Sequence, residues 1–165
     1  MKACSIILCL LISLTCASQA TKSDYFKVYD TFDEFSDVLN RSGDKTYVIN
    51  FWATWCKPCI AELPFFDKLE EEYGRDEVEV ILVSLDAKDR IKKSLIPFIK
   101  NNNVRSTVVL LADNRTNEWI DKVDESWSGS LPATLIYDQV SYQFLEHEFE
   151  SYEELKSLYE QFIKS

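Results

Sequence analysis

Cys56 and Cys59, with Lys57 and Pro58 between them, are where this chain could do chemistry. A CxxC pair can be half of a zinc site, a structural disulfide, or a dithiol that exchanges with other disulfides. Zinc normally takes four protein ligands, or three and a water. The other cysteines, Cys4, Cys9 and Cys16, lie in an N-terminal segment that reads as removable, and the one histidine, His147, falls in an expected edge strand where a surface position is favoured. A structural disulfide across four residues would constrain the unfolded chain little. Redox exchange is the favoured reading. No metal is expected at the pair, and no cofactor beyond a Cys56–Cys59 disulfide.

Two elements must hold the pair. Tyr47 to Ala53 is mostly apolar with two β-branched residues, which suits a buried strand. Ile60, Leu63, Phe66 and Leu69 recur at helical spacing, with Pro64 expected to kink the helix. The dithiol therefore sits where a strand ends and a helix begins. Unpaired N–H groups and the positive end of the dipole at a helix start stabilise a thiolate, so Cys56 should titrate below a free cysteine. Pro58 suits a first turn that needs no N–H from it. Cys56 is the expected exposed nucleophile and Cys59, a turn on, the more buried partner. Lys57 adds positive charge that favours the thiolate, or is simply solvated. Glu62, three residues past Cys59, lies roughly on the same side of the helix. It could relay protons to Cys59 and raise the thiol pKa values by like charge, or be a solvated helix glutamate.

The run Phe51-Trp52-Ala53-Thr54-Trp55-Cys56-Lys57-Pro58-Cys59, followed by Glu62-Leu63-Pro64, resembles the thioredoxin superfamily. More closely it resembles the TlpA/ResA-like branch of exported bacterial thiol–disulfide oxidoreductases. The general features are the WCxPC core and a proline five positions after the second cysteine. The branch features are Asn50, where cytosolic thioredoxins carry a buried aspartate, and Glu62. The match is specific over this stretch and continues, more weakly, to the C-terminus.

The resemblance implies an α/β thioredoxin fold, a central mixed β-sheet flanked by helices on both sides, with a helix-strand insertion. It implies that Leu131-Pro132 is a cis-proline loop, with Pro132 facing the disulfide and Leu131 presenting backbone groups to an extended substrate. Trp55, Lys57 and Pro58 are the other candidate substrate contacts, and Glu62 is implicated in tuning the dithiol. Trp52 should pack and shield the pair; Trp127 could be loop packing or a groove wall. By resemblance the protein is a reductase of disulfides in exported proteins, of the cytochrome c maturation type or general. Its reductant would then be a membrane thiol-electron carrier. Two alternatives stand. One is a DsbA-like oxidant, though such proteins usually carry a histidine where this chain has Lys57-Pro58. The other is a thioredoxin-fold binding module with an idle disulfide. The final hairpin lacks the glycines that many relatives have, which leaves its turn geometry open.

The start of the chain reads as a secretory signal peptide over 1–20: Lys2, an apolar run from Ile6 to Leu14, and small residues at Ser18 and Ala20. Its apolar run is too short to cross a membrane and stop. A lipoprotein cleaved before Cys16 is the minority reading, because Ser13-Leu14-Thr15 is a poor lipobox. Removal leaves one domain, 21–165, in the periplasm or cell envelope, and moves the net charge from −10 to −11. That charge argues against nucleic acid and anionic membrane surfaces as partners.

The remaining elements follow from pattern. An edge strand is expected at 25–29. Helix 31–40 should carry a capping box from Thr31 and Glu34. Strand 77–85 should pair in parallel with 47–53 through a right-handed crossover. Helix 87–103 is expected to be disturbed at Pro97, followed by strand 107–111 and a short helix at 115–123. Strand 134–137 should pair antiparallel with 142–149, and helix 152–163 should close the chain behind Ser151 and Glu154. Gly74 should stop the active-site helix, and Glu70-Glu71-Glu72 before it reads as a solvated face.

Overall fold

A computed structural model describes residues 26–165; the leader expected over 1–20, with Cys4, Cys9 and Cys16, lies outside them. Strands β2 (Thr46–Trp52) and β3 (Val78–Ser84) are nearly continuous apolar runs, as strands covered on both faces must be. They pair in parallel, from Thr46 opposite Val78 to Trp52 opposite Ser84. Strand β4 (Thr107–Leu111) runs parallel to β3, and the edge strand β1 (Lys27–Tyr29) parallel to β4. Strand β5 (Ala133–Tyr137) lies antiparallel to β2 and carries the antiparallel edge strand β6 (Tyr142–Leu145). The sheet order is β1-β4-β3-β2-β5-β6. The β5–β6 turn manages without glycine because the Asp138 carboxylate accepts from the N–H groups of Val140 and Ser141.

Alternation along β2 divides the core. Val48 and Trp52 face the helices α2 (Lys57–Tyr73), α3 (Ile96–Asn101) and α5 (Tyr152–Phe162), while Tyr47, Ile49 and Phe51 face α1 (Phe32–Phe35) and α4 (Ile120–Val123). This is the mixed sheet with helices on both sides that the sequence implied. Strand β4 and helix α4, between α3 and β5, supply the inserted strand and helix.

Three expected elements differ locally. The first helix becomes a 3₁₀ turn over Ser36–Asn40, which places buried Val38 so that its carbonyl accepts from Tyr137 Oη at 2.7 Å. Its cap is Thr31, and Glu34 reaches past the cap to Asp30 N. The helix expected over 87–103 breaks into a 3₁₀ turn at Lys88–Arg90, a π-helical turn at Ile91–Leu95, and α3. Pro97 has no N–H to give the carbonyl four residues back, so the wider turn falls where a regular bond is already lost. Strand β6 ends at Leu145 instead of 149, because the residues after it turn away to other partners described below.

Helix α2 buries Cys59, Glu62, Leu63, Phe66, Leu69 and Glu70, one stripe at helical spacing, and it runs on through exposed Pro64. The acidic run is therefore not a uniformly solvated face. Glu70 continues the stripe inward, where Oε1 accepts from Val80 N at 3.1 Å and Oε2 accepts from Arg75 Nη2 at 2.8 Å. Gly74 ends the helix at φ +83°, a left-handed conformation that suits glycine.

Candidate active site

The chain leaves β2 at Trp52 and turns at once: Cys56 N donates to Ala53 O at 3.0 Å. Trp55 stands at the tip of this turn, 68% exposed, whereas Trp52 is fully buried against Phe98. The turn is held from behind by Asp86. This buried carboxylate accepts from Thr54 N at 3.0 Å, Thr54 Oγ1 at 2.6 Å and Ser84 Oγ at 2.8 Å. Cys56 then caps α2 with extended backbone, and its Sγ accepts from Cys59 N at 3.3 Å. Pro58 sits in the first turn, half-buried, and Lys57 points to solvent. No carboxylate occupies that turn, so nothing there offsets the positive end of the helix.

Cys56 and Cys59 form a disulfide, with Cα atoms 5.3 Å apart. Cys59 is completely buried. Cys56 is the more accessible of the two, but at 6% exposure it is not the open nucleophile the sequence suggested. It belongs to the apolar cluster of Trp52 and Leu63, and Leu131 packs on that cluster.

Glu62 is buried too, on the same stripe of α2 as Cys59. Oε1 accepts from Asn50 Nδ2 at 2.9 Å, and Oε2 accepts from Phe149 N at 2.9 Å. Asn50 Nδ2 also donates to Thr134 Oγ1 at 3.1 Å, across the β2–β5 pair. Burial pushes the Glu62 carboxyl up to about 7, against the two hydrogen bonds, which favour the anion. Near neutral pH this side chain can both take and give a proton.

The loop before β5 brings a second wall. In β2–β5 register Phe51 opposes Ala133, so Leu131-Pro132 lies at the end of the sheet from which the Cys56 turn departs. The Leu131–Pro132 bond is cis. Pro132 is buried and Leu131 half-buried. Glu146, just past β6, holds this loop: its carboxylate accepts from Ser128 N and Ser130 N, each at 2.9 Å, and from Ser128 Oγ. Gly129 between them has φ +93°, which disfavours any side chain. Trp127 is packing and not a groove wall. It is buried against Phe51 and Trp119, and its Nε1 donates to Ser130 O at 2.9 Å.

Asp86, Thr134 and Glu146 escaped the sequence reading. Ser84-Leu85-Asp86 at the end of an apolar run is the signal that could have found the first, since polar residues there must meet a loop. Glu146 gives no such signal, because its partners lie 16 and 18 residues away. His147 is half-exposed and pairs with Glu154 at 2.7 Å, on the surface as expected. Among the described residues, no group of three or more His, Cys, Asp or Glu side chains is placed to hold a metal ion.

Comparison with known proteins adds a context for this geometry. The model of the AhpC/TSA family matches residues 26–141. The chain is 36% identical over 70 residues to a thiol-disulfide oxidoreductase ResA of Oceanobacillus iheyensis, covering 42% of this chain and 36% of that protein. It is 34% identical over 90 residues to a thioredoxin of Malassezia sympodialis, covering 50% of this chain and 84% of that protein. The match thus spans about a third of the ResA protein's length and most of the thioredoxin's. Among solved structures, a secreted Mycobacterium tuberculosis disulfide oxidoreductase homologous to E. coli DsbE superposes with a TM-score of 0.52 at 21% identity. That overlap covers 69% of this chain and 79% of the other, and it speaks for the fold.

Proposed function

The chain belongs to the AhpC/TSA family, and on that premise we propose that it is a thiol–disulfide oxidoreductase working through Cys56 and Cys59. The observation that carries the proposal is the Cys56–Cys59 disulfide capping α2, at the sheet end where the Leu131-Pro132 loop lies. In the reduced protein the Cys56 thiolate attacks one sulfur of a substrate disulfide. The S–S bond breaks, one substrate sulfur leaves as a thiolate, and a mixed disulfide forms on Cys56. Cys59 then gives its proton to Glu62 and attacks Cys56 Sγ. The second substrate thiolate leaves, and two electrons have passed from the dithiol to the substrate. The protein is left as the Cys56–Cys59 disulfide.

Trp55, Lys57, Pro58, Leu131 and Pro132 are the residues we assign to the substrate, and Glu62 to the proton. The accessible tip at Trp55 and the half-buried Leu131 support that assignment. The substrates are disulfides of exported proteins, and the spent disulfide is recharged by a membrane thiol carrier. The reaction uses no metal and no cofactor beyond the disulfide itself. Export, with 21–165 as the mature domain, is supported by the leader-like residues 1–20 and by a structural relative described as secreted. Residues 1–20 and the lipobox reading at Cys16 lie outside the described residues.

Turbidity of insulin with dithiothreitol as donor tests the activity. Wild-type protein should accelerate B-chain precipitation, and Cys56→Ser should not. Equal rates with and without the protein would remove the enzymatic reading and leave a binding module.

A further inference from the structure

The sheet end opposite the dithiol carries a cavity that this reaction does not use. It has a volume of about 630 Å³ and lies where α3 and the first residues of β4 meet the chain entering β1. Phe26, Ile96, Ile99 and Val108 make its wall largely apolar. Its size falls in the range of roughly 300–1,000 Å³ usual for small-molecule sites.

The charges on its lining are of one sign. Arg75, Lys100 and Arg105 line it and no acidic residue does, on a chain of net charge −10. Two of these cations are already matched from behind by α2: Arg75 Nη2 lies 2.8 Å from Glu70, and Arg105 Nη2 lies 2.8 Å from Glu71. Lys100, exposed on α3, pairs with no carboxylate among the described residues. The wall also includes Ser106, whose buried hydroxyl has no hydrogen-bond partner among the described residues, an exception in folded proteins.

We propose that this cavity binds a single-chain amphiphile with an anionic head, a free fatty acid of medium length. The tail takes the apolar wall between α3 and β4, where its removal from water drives binding. The carboxylate meets Lys100, a point charge with no competing partner. A cationic head on the same tail would meet Lys100 with no carboxylate on the lining to offset it.

Calorimetry on the full chain tests this, with dodecanoate kept below its micelle concentration as the probe. The expected result is saturable one-to-one binding, with dodecyltrimethylammonium and acetate giving none. Lys100→Glu reverses the charge at the mouth and should weaken dodecanoate at least about tenfold, an electrostatic change of ordinary size for one ion pair. Ile99→Trp fills the wall and should abolish binding. Thermal melts report whether each variant is folded, and Lys100→Glu, exposed on its helix, decides alone if Ile99→Trp is not. Absence of saturable dodecanoate binding overturns the proposal. So does equal binding of the cationic amphiphile, or undiminished affinity in a folded Lys100→Glu. Association with anionic vesicles without uptake of monomeric dodecanoate also overturns it. Because binding is read by heat and not by thiol exchange, this result stands apart from that of the insulin assay.

Discussion

Glu62 draws its chemistry from where the fold puts it. A carboxyl that ionises near 4.5 in the unfolded chain is held protonated to about 7 by burial. Between those values the folded protein binds more protons than the unfolded one, so stability falls as pH rises through that window. The whole effect is about 3 kcal/mol, fully expressed above pH 7. Glu62→Gln should abolish this slope in denaturant melts taken from pH 4.5 to 8, and should be the more stable form at pH 8. The site can take the amide: Gln can accept from Phe149 N through Oε1, and its N–H can donate to Asn50 once the Asn50 amide turns over to present Oδ1 in place of Nδ2. The same variant should lose the part of the exchange-rate profile that titrates near pH 7. The cysteines give a sharper outcome. Cys59→Ser should accumulate the mixed disulfide on Cys56, seen as a mass adduct that thiol reagents release, whereas Cys56→Ser should form none.

The active-site elements are positioned by carboxylates outside the motif. Asp86→Ala takes the acceptor from Thr54 N, Thr54 Oγ1 and Ser84 Oγ at a buried site, which should cost about 1–3 kcal/mol in unfolding experiments. It should also slow exchange, because the turn carrying Cys56 loses its anchor. Glu146→Ala acts differently. Its partners Ser128 and Ser130 are exposed, so stability should change by less than about 1 kcal/mol. The loosened Leu131 loop should raise KM for a protein disulfide by up to about tenfold while leaving kcat and the reduction of a small disulfide alone. At this scale the sequence was legible where period and caps agree. The β2 and β3 runs, the Thr31 and Ser151 caps and the Gly74 stop all stand where pattern put them. It was illegible where a distant partner decides. Glu70 sits in a run of three glutamates, and only Val80 N and Arg75 explain why it turns inward. The β6 strand stops early because Glu146 and Phe149 are claimed by the 128–130 loop and by Glu62.

For the whole molecule, the sheet order and the helices on both faces followed from a strand–helix–strand unit and a recognisable motif, and the buried stripe of α2 put Cys59 and Glu62 together. What the motif could not supply was access. Cys56 is 6% exposed because the turn, α2 and the cluster touching Leu131 close around it, a property of packing that no local spacing encodes. A reductant's disulfide stabilises its fold relative to the dithiol, so oxidised protein should melt above reduced protein. The direction of electron flow is decided by the reduction potential of the Cys56–Cys59 pair, equilibrated in dithiothreitol or glutathione buffers of known poise. The expected value lies near the thioredoxin end of the range, about −270 mV. A value near the DsbA end, about −120 mV, would make the protein a disulfide donor and contradict the proposed direction. A pair that never equilibrates with the buffer would contradict the redox function altogether.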